Sequence, residues 1–248
     1  MTPFFMAWSM FCSIPCPVKK WDQTKTRQML MCLPFVGALI GAVWFGLYKA
    51  FGALKLGWVG LAFTAVLPWI LTGFMHLDGF LDCSDAVLSF RDQDRRLEIL
   101  KDSHVGSFAV ICMAILSIFT LTAWLQAGYG VGPVMILIPL VSRAVVAACV
   151  IDFAPLKTSS YSKSMDREKH PGSVAFCVGL CFIACAVAVT VWKLQGIAVC
   201  VSALCTLLTV LKVRHNLGGM SGDISGCAVS IGECCAAVAL AIINGLAG

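Results

Sequence analysis

Charged residues are scarce in this sequence. Lysine, arginine, aspartate and glutamate together make up 12% of its 248 residues, whereas 59% of the residues are hydrophobic. A soluble globular protein of this length would carry roughly twice that share of charge. The composition therefore excludes an ordinary soluble fold. It predicts an all-α, polytopic integral membrane protein that forms one domain over residues 1–248.

Other signals are missing too. No basic residue precedes the apolar segment 1–15 and no small-residue cleavage site follows it, so we expect no cleavable signal peptide. The basic residues are spread over several loops without interleaved aromatics, which argues against a nucleic-acid partner. The 14 cysteines lie mostly within apolar runs, where small residues pack helices together, so they do not indicate a disulfide framework.

Hydropathy predicts seven membrane-spanning helices, each long enough to cross the roughly 30 Å hydrocarbon core. They cover residues 30–48, 56–75, 107–127, 131–151, 172–192, 195–211 and 227–246. A six-helix arrangement with one re-entrant segment is a second interpretation of the same pattern, so we expect six to seven transmembrane helices. Residues 3–12 are too short to span and are expected to lie in the membrane interface.

The loops between these segments differ in charge. If the amino terminus is cytoplasmic, the inside segments are 1–29, 76–106, 152–171 and 212–226. These segments hold 14 of the 18 lysine and arginine residues. The positive-inside rule therefore predicts a multi-pass protein of the cytoplasmic (inner) membrane in this orientation. No acidic residue falls in an outside loop, so the acid-rich segments are expected to face the cytoplasm, where nucleotide substrates are found.

More than half of the acidic residues fall within residues 76–106, a stretch that we call the acidic island. Asp78, Asp82 and Asp85 are spaced i, i+4 and i+7, so they share one face of a helix. Three neighbouring carboxylates repel one another unless a cation lies between them, and oxygen ligands suit Mg²⁺ or Mn²⁺. The alternative is a solvated helix end whose acids pair with the arginines of the island.

The second half of the island carries both signs of charge. Glu98 and Asp102 are four residues apart, which predicts a second short helix that presents acids towards the first. Arg95, Arg96 and Lys101 place positive charge beside these acids. This combination favours phosphoryl transfer, because metal ions and basic groups neutralise the phosphate oxygens and leave little covalent chemistry to the protein.

Two more features lie outside the island. Arg143 and Glu233 fall within predicted spans, where a charge facing lipid is costly, so both are expected to face the bundle interior as a candidate ion pair. Residues 218–226, GGMSGDISG, contain glycines that allow the backbone to approach a ligand closely. Asp223 in this motif is either a ligand-binding residue or a helix cap.

Three stretches of the sequence resemble one known family. HLDGFLDCSDA and RRLEILKDSHVGSFA in the island, together with GGMSGDISG, are similar to the signature of the cobalamin synthase, or adenosylcobinamide-GDP ribazoletransferase, family. The resemblance covers nearly the whole chain. The sequence departs from the family pattern at four positions, where Leu100 replaces Met, His104 replaces Arg, Ser221 replaces Thr and Cys227 replaces Ala.

The resemblance implies a Mg²⁺-dependent transferase of cobalamin (vitamin B12) nucleotide-loop assembly. The enzyme would move the adenosylcobinamide phosphate of adenosylcobinamide-GDP to α-ribazole or its 5′-phosphate and release GMP. The implied metal ligands are Asp78, Asp82, Asp85 and Asp102. The implied catalytic residues are His76, Asp82 and Asp85. The implied substrate-binding residues are Arg95, Arg96, Glu98, Lys101, Ser103, Arg143, Ser221 and Asp223.

Besides the two substrates, the expected partners are the lipid bilayer, and further candidates are a second copy of the chain or other nucleotide-loop enzymes. Two other functions stay open. A CDP-alcohol phosphotransferase of lipid synthesis would share the metal and the reaction type, but that family spaces its aspartates D-x2-D-G, unlike Asp78-x3-Asp82-x2-Asp85 here. A transporter would use Arg143 and Glu233 in its pathway, but it typically has two related halves, and the sequence shows no internal repeat.

Overall fold

The computed structural model describes residues 2–18, 21–156 and 170–247 as an all-helical bundle. Within these ranges no strand forms, and a single isolated bridge joins Pro155 to Met220. The helices of the described ranges are α1 (Thr2–Phe11), α2 (Thr26–Ala53), α3 (Gly57–Leu71), α4 (Met75–Leu88), α5 (Gln93–Ile99), α6 (Ser107–Ala127), α7 (Leu137–Asp152), α8 (Pro171–Trp192), α9 (Ile197–Leu217) and α10 (Gly222–Ala247). The predicted fold class is therefore confirmed.

Five helical stretches are long and apolar enough to cross a membrane, and the bent pair α3–α4 makes a sixth if it counts as one span. One of the five, Pro171–Leu217, contains both α8 and α9. The chain reverses between these two helices at Lys193, whose φ is 48°, and Gly196 then packs directly on the backbone of Ala188. The predicted span 107–127 coincides with α6. The chain is thus a polytopic helical membrane protein.

Each end of the bundle joins loops that the charge pattern assigns to one side of the membrane. At one end, which we call the site end, Leu156 N donates to Met220 O at 2.8 Å, and α4 and α5 lie beside this contact. At the opposite end, Gln195 donates to Gly130 O and Asn244 donates to Ala127 O. In these contacts, loops that the charge pattern assigns to the same side lie together, and the side that each set faces stays a prediction. The basic residues of the segment 157–169 lie outside the described residues.

A sharp bend sets the direction of α4, which carries the first aspartates of the acidic island. α3 and α4 meet at 86°, because Gly73 and Phe74 both adopt left-handed backbone conformations, with φ of 60° and 61°. This conformation is unfavourable for phenylalanine, so surrounding contacts must hold it. Phe74 N donates to Trp69 O at 2.8 Å, and Ser13 N donates to Leu71 O, at the end of α3, at 2.8 Å. The bend directs α4 towards α6 and α10.

Close packing around α2 holds the rest of the bundle. Gly37 packs directly on the backbone of Pro139, so α2 and α7 approach without an intervening side chain. Trp44 is buried, meets the Trp124 ring edge-on at 5.1 Å and donates its Nε1–H to Thr64 O at 2.8 Å. By contrast, α6 and α8 expose many apolar side chains, as expected of helices that face lipid.

Candidate active site

The candidate site is centred on α4, which carries three of the predicted aspartates on one helix. Asp78 is exposed, whereas Asp82 and Asp85 are half-buried. The other side of α4 packs on α10. There Gly79 lies so close to Asp223 that an added Cβ would stand 2.6 Å from the Asp223 carbonyl oxygen. Because Gly79 has no side chain, α10 can bring Asp223 beside the aspartates of α4.

Four carboxylates therefore share the site end. Asp82 is repelled electrostatically by Asp78, Asp223 and Asp85 and is partly removed from water. In residues 2–18, 21–156 and 170–247, no cationic side chain forms a salt bridge with any of the four. The alternative in which these acids pair with the arginines of the island is therefore not the arrangement that forms. A cation from solution would relieve the repulsion.

Asp85 has a structural role that its spacing does not reveal. Its two carboxylate oxygens accept hydrogen bonds from Gly106 N at 2.6 Å and Ala109 N at 2.9 Å. Gly106 is the residue just before α6 and Ala109 is in its first turn, where N–H groups have no partners within the helix. Asp85 thus caps α6 and joins it to α4. Among the described contacts, no backbone N–H group at a helix end donates to the other three carboxylates, Asp78, Asp82 and Asp223.

The donor chemistry of Asp78, Asp82 and Asp223 fits a hard divalent cation, because all three offer carboxylate oxygens from two packed helices. Across the described part of the chain, however, no three His, Cys, Asp or Glu side chains converge on one metal position. The assignment of Mg²⁺ to Asp78, Asp82, Asp85 and Asp102 therefore stays a prediction.

The turn after α5 differs from the predicted helix. α5 ends at Ile99, so Glu98 and Asp102 do not share a helix face. The Asp102 carboxylate instead accepts a hydrogen bond from His104 N at 3.0 Å and lies 2.6 Å from His104 Nδ1, a local pattern that competes with helix continuation. These bonds lower the pKa of the Asp102 carboxyl below its ordinary value. The histidine that replaces the family's arginine thus binds a neighbouring acid.

The positive groups of the island divide into two sets. Arg95, Lys101 and Ser103 are exposed at the site end, and Arg95 forms a surface ion pair with Glu98. Arg96 is half-buried and donates from Nη1 to Asn216 Oδ1 at 2.6 Å. The three exposed residues can contact a ligand from solution, whereas Arg96 is already bound to the end of α9.

The glycine-rich turn between α9 and α10 places Asp223. Gly218 ends α9 with a left-handed φ of 85°, the conformation that glycine adopts most easily. Ser221 then accepts a hydrogen bond from Ile224 N at 3.3 Å. Ser221 is therefore the residue that caps α10, whereas Asp223 lies within the first turn of the helix and does not cap it. Of the two interpretations of Asp223, the helix cap is wrong.

Two polar residues at this turn are absent from the predicted site. Gln93 donates to Leu217 O at 3.0 Å, and Asn216 binds Arg96 as described above. The sequence holds one signal that points to them, because Gly218 marks the end of a helix whose last carbonyl groups need donors from elsewhere. It does not identify which side chains supply those donors.

Arg143 and Glu233 form the ion pair that the sequence suggests. Arg143 is 1% exposed on α7, and its Nη1 donates to Glu233 on α10 and to Ser142 Oγ, the latter at 3.0 Å. His76 is also buried, and its Nε2 has no hydrogen-bond partner within the described ranges. Ser230 donates to His76 O at 3.1 Å. Arg143 and His76 therefore lie in the interior, behind the carboxylates.

Comparisons with known proteins identify relatives over nearly the whole chain. A family model described as cobalamin-5-phosphate synthase matches residues 3–241. An adenosylcobinamide-GDP ribazoletransferase of Clostridium botulinum (strain Alaska E43) is 33% identical over 234 residues, 92% of each chain. One from Clostridium perfringens (strain 13) is 36% identical, over 89% of this chain and 90% of the relative. One from Geobacillus kaustophilus is 31% identical, over 93% and 91%. No solved structure matches the chain.

Proposed function

The chain belongs to the cobalamin-5-phosphate synthase family, and we therefore propose that it is an adenosylcobinamide-GDP ribazoletransferase that acts in cobalamin assembly. A hydroxyl of α-ribazole, or of its 5′-phosphate, attacks the phosphorus of adenosylcobinamide-GDP that bears the cobinamide. A new P–O bond forms, the diphosphate P–O bond breaks, and GMP leaves with the bridging oxygen. The observation that carries the proposal is the group of aspartates brought together by α4 and α10 in a chain of this family.

Asp78, Asp82 and Asp223 are the residues that would hold Mg²⁺. The metal would supply positive charge to the diphosphate oxygens and to the leaving phosphate. Gly79 keeps α4 and α10 in contact, so the carboxylates of the two helices stay close together. Asp85 fixes the start of α6 against α4 through its two hydrogen bonds.

Substrate phosphates would meet the exposed groups of the island, Arg95, Lys101 and Ser103, beside the carboxylates. The attacking hydroxyl must lose a proton. Asp82 is better placed to accept it than His76, because Asp82 is only half-buried at the site end, whereas His76 is 7% exposed and packs against Gly226. General-base catalysis requires hydrogen-bond reach to the substrate hydroxyl, which a residue closed off by α10 cannot offer.

The proposed test uses detergent-purified protein with Mg²⁺, adenosylcobinamide-GDP and α-ribazole, and it follows GMP and the corrinoid product by chromatography. Product should require both substrates and should disappear when a chelator removes Mg²⁺. Asp82→Asn should lower kcat by at least roughly 100-fold, because the neutral amide is a poor metal ligand and no base. Asp94→Asn is the matched control, since Asp94 is an exposed island acid outside the carboxylate group, and it should retain activity.

Three results would contradict this proposal in different ways. Full activity of Asp82→Asn would show that Asp82 is neither an essential metal ligand nor the general base. Turnover of CDP-activated lipid in place of adenosylcobinamide-GDP would assign the chain to lipid synthesis. Uptake of substrate into sealed vesicles without conversion would indicate a transporter.

A further inference from the structure

The C-terminal end of α9 is held by side chains of α5. Gln93 Nε2 donates to Leu217 O at 3.0 Å, and Arg96 Nη1 donates to Asn216 Oδ1 at 2.6 Å. The last carbonyl groups of a helix lack partners within the helix and carry partial negative charge. An amide and a guanidinium from another helix therefore stabilise this end of α9. Asn216 is itself oriented by its bond from Nδ2 to Lys212 O, at 2.8 Å.

This contact also fixes the glycine-rich turn that follows. The Gln93 amide lies against Gly218 in the space that a side chain would occupy. On the other side of the turn, Gly219 packs on Leu156 and Met220 N donates to Ala154 O at 2.9 Å. The turn is thus held from two directions, and it leads directly into Ser221 and Asp223. α5 therefore holds one side of the turn that leads to Asp223.

We infer that Arg96, Gln93 and Asn216 are positioning residues, which hold Asp223 in place against α4 and do not bind substrate. This inference rests on the proposed function, and it changes the role of Arg96 from the substrate contact that the resemblance implies. Arg96 is half-buried, its Nη1 is engaged with Asn216, and its Nε is buried without a partner in the described chain. Arg95, the adjacent residue, points to solvent and pairs only with Glu98 in the described residues. The two arginines therefore have different tasks.

A double-mutant cycle tests this assignment. Arg96→Ala and Asn216→Ala should each lower kcat by roughly 10- to 100-fold, with the KM for adenosylcobinamide-GDP changed less than about twofold, because a small misplacement of reacting groups is costly. Both should raise the Mg²⁺ concentration that gives half-maximal activity. The double variant should be no worse than the worse single variant, since one contact is removed in every case. Asn216→Asp, which keeps the acceptor for Arg96 but loses the donor to Lys212 O, should retain a higher kcat than Asn216→Ala.

A substrate contact by Arg96 predicts the opposite pattern. Arg96→Ala would then raise KM more than about tenfold, Asn216→Ala would be neutral, and the effects of the two changes would add. Any one of these three results would overturn the inference. Arg96→Gln is a milder second variant, which keeps a hydrogen-bond donor, if the alanine variant does not fold.

Backbone hydrogen exchange separates this inference from the proposed function. Arg96→Ala and Asn216→Ala should accelerate exchange at residues 218–224, whereas Arg91→Ala, an exposed control of equal charge, should not. If the wild-type protein releases no GMP, the proposed function fails, and the exchange data still report whether α5 holds the turn. If the wild type is active but exchange at 218–224 does not change, the positioning role is wrong.

Discussion

Single residues in and behind the candidate site have structural roles that residue type and spacing alone do not reveal. Asp85 has the spacing of a metal ligand, yet both of its oxygens accept hydrogen bonds from the N-terminal end of α6. Arg143 has the residue type of a phosphate ligand, yet it is buried in an ion pair with Glu233. For an aspartate such as Asp85, residue type and spacing cannot distinguish a metal ligand from a helix cap, because both roles use the lone pairs of a carboxylate. Only the position of the next helix distinguishes them.

Asp85→Ala should therefore destabilise the protein more than Asp82→Ala does. Loss of a side-chain cap costs about 0.5–2 kcal/mol, and bonds to a charged group raise that figure towards about 3 kcal/mol. Asp82 repels its neighbours, so its removal should leave stability unchanged or improve it. The thermal unfolding midpoint of both variants in the same detergent, without metal, measures the difference. An equal midpoint for the two variants would contradict the capping role.

At the scale of the helices, the site depends on how closely α4 approaches α10. Gly79 faces the Asp223 backbone, and Gly226 faces His76, where an added Cβ would lie 2.9 Å from the His76 Cα atom. Contacts this short allow helices to pack by backbone, as small residues do in membrane interiors. The resemblance supplies HLDG as a motif, and the fold gives a physical reason for its glycine. The aspartates on either side then lie beside Asp223.

Gly79→Ala should weaken activity through this packing. The added methyl group must displace the Asp223 backbone by several tenths of an ångström, and kcat should fall at least roughly tenfold because reacting groups tolerate little displacement. Gly46→Ala is the matched control, since Gly46 is also within a helix but has no atom within 4 Å of an added Cβ. That change should leave kcat unaltered and stabilise α2 slightly, by up to about 1 kcal/mol. Similar kcat values for both variants would show that the close contact is not required.

At the scale of the whole molecule, most of the architecture follows from the sequence. Apolar runs between charged loops give the helices, and the predicted segment 172–192 differs from α8 by one residue. The position of Asp78, Asp82 and Asp85 on a single helix follows from their spacing. The sequence does not give the 86° bend between α3 and α4, because the left-handed conformation of Phe74 depends on tertiary contacts. It also does not give the partners of Gln93 and Arg96, since Leu217 and Asn216 become their neighbours only after long-range packing.

The separation of the loops into two sets leads to a prediction about sidedness. The site end holds the acidic island, and the inside segments hold 14 of the 18 lysine and arginine residues, so we expect this end to face the cytoplasm. Adenosylcobinamide-GDP carries charged phosphates and does not cross a bilayer unaided. Sealed inside-out membrane vesicles should therefore release GMP from added substrate, whereas right-side-out vesicles should do so only after permeabilisation. Detergent-treated samples of both preparations control for the amount of enzyme. If intact right-side-out vesicles release GMP as fast as the same vesicles after detergent treatment, the site end lies on the opposite face, where the loops with few basic residues are expected.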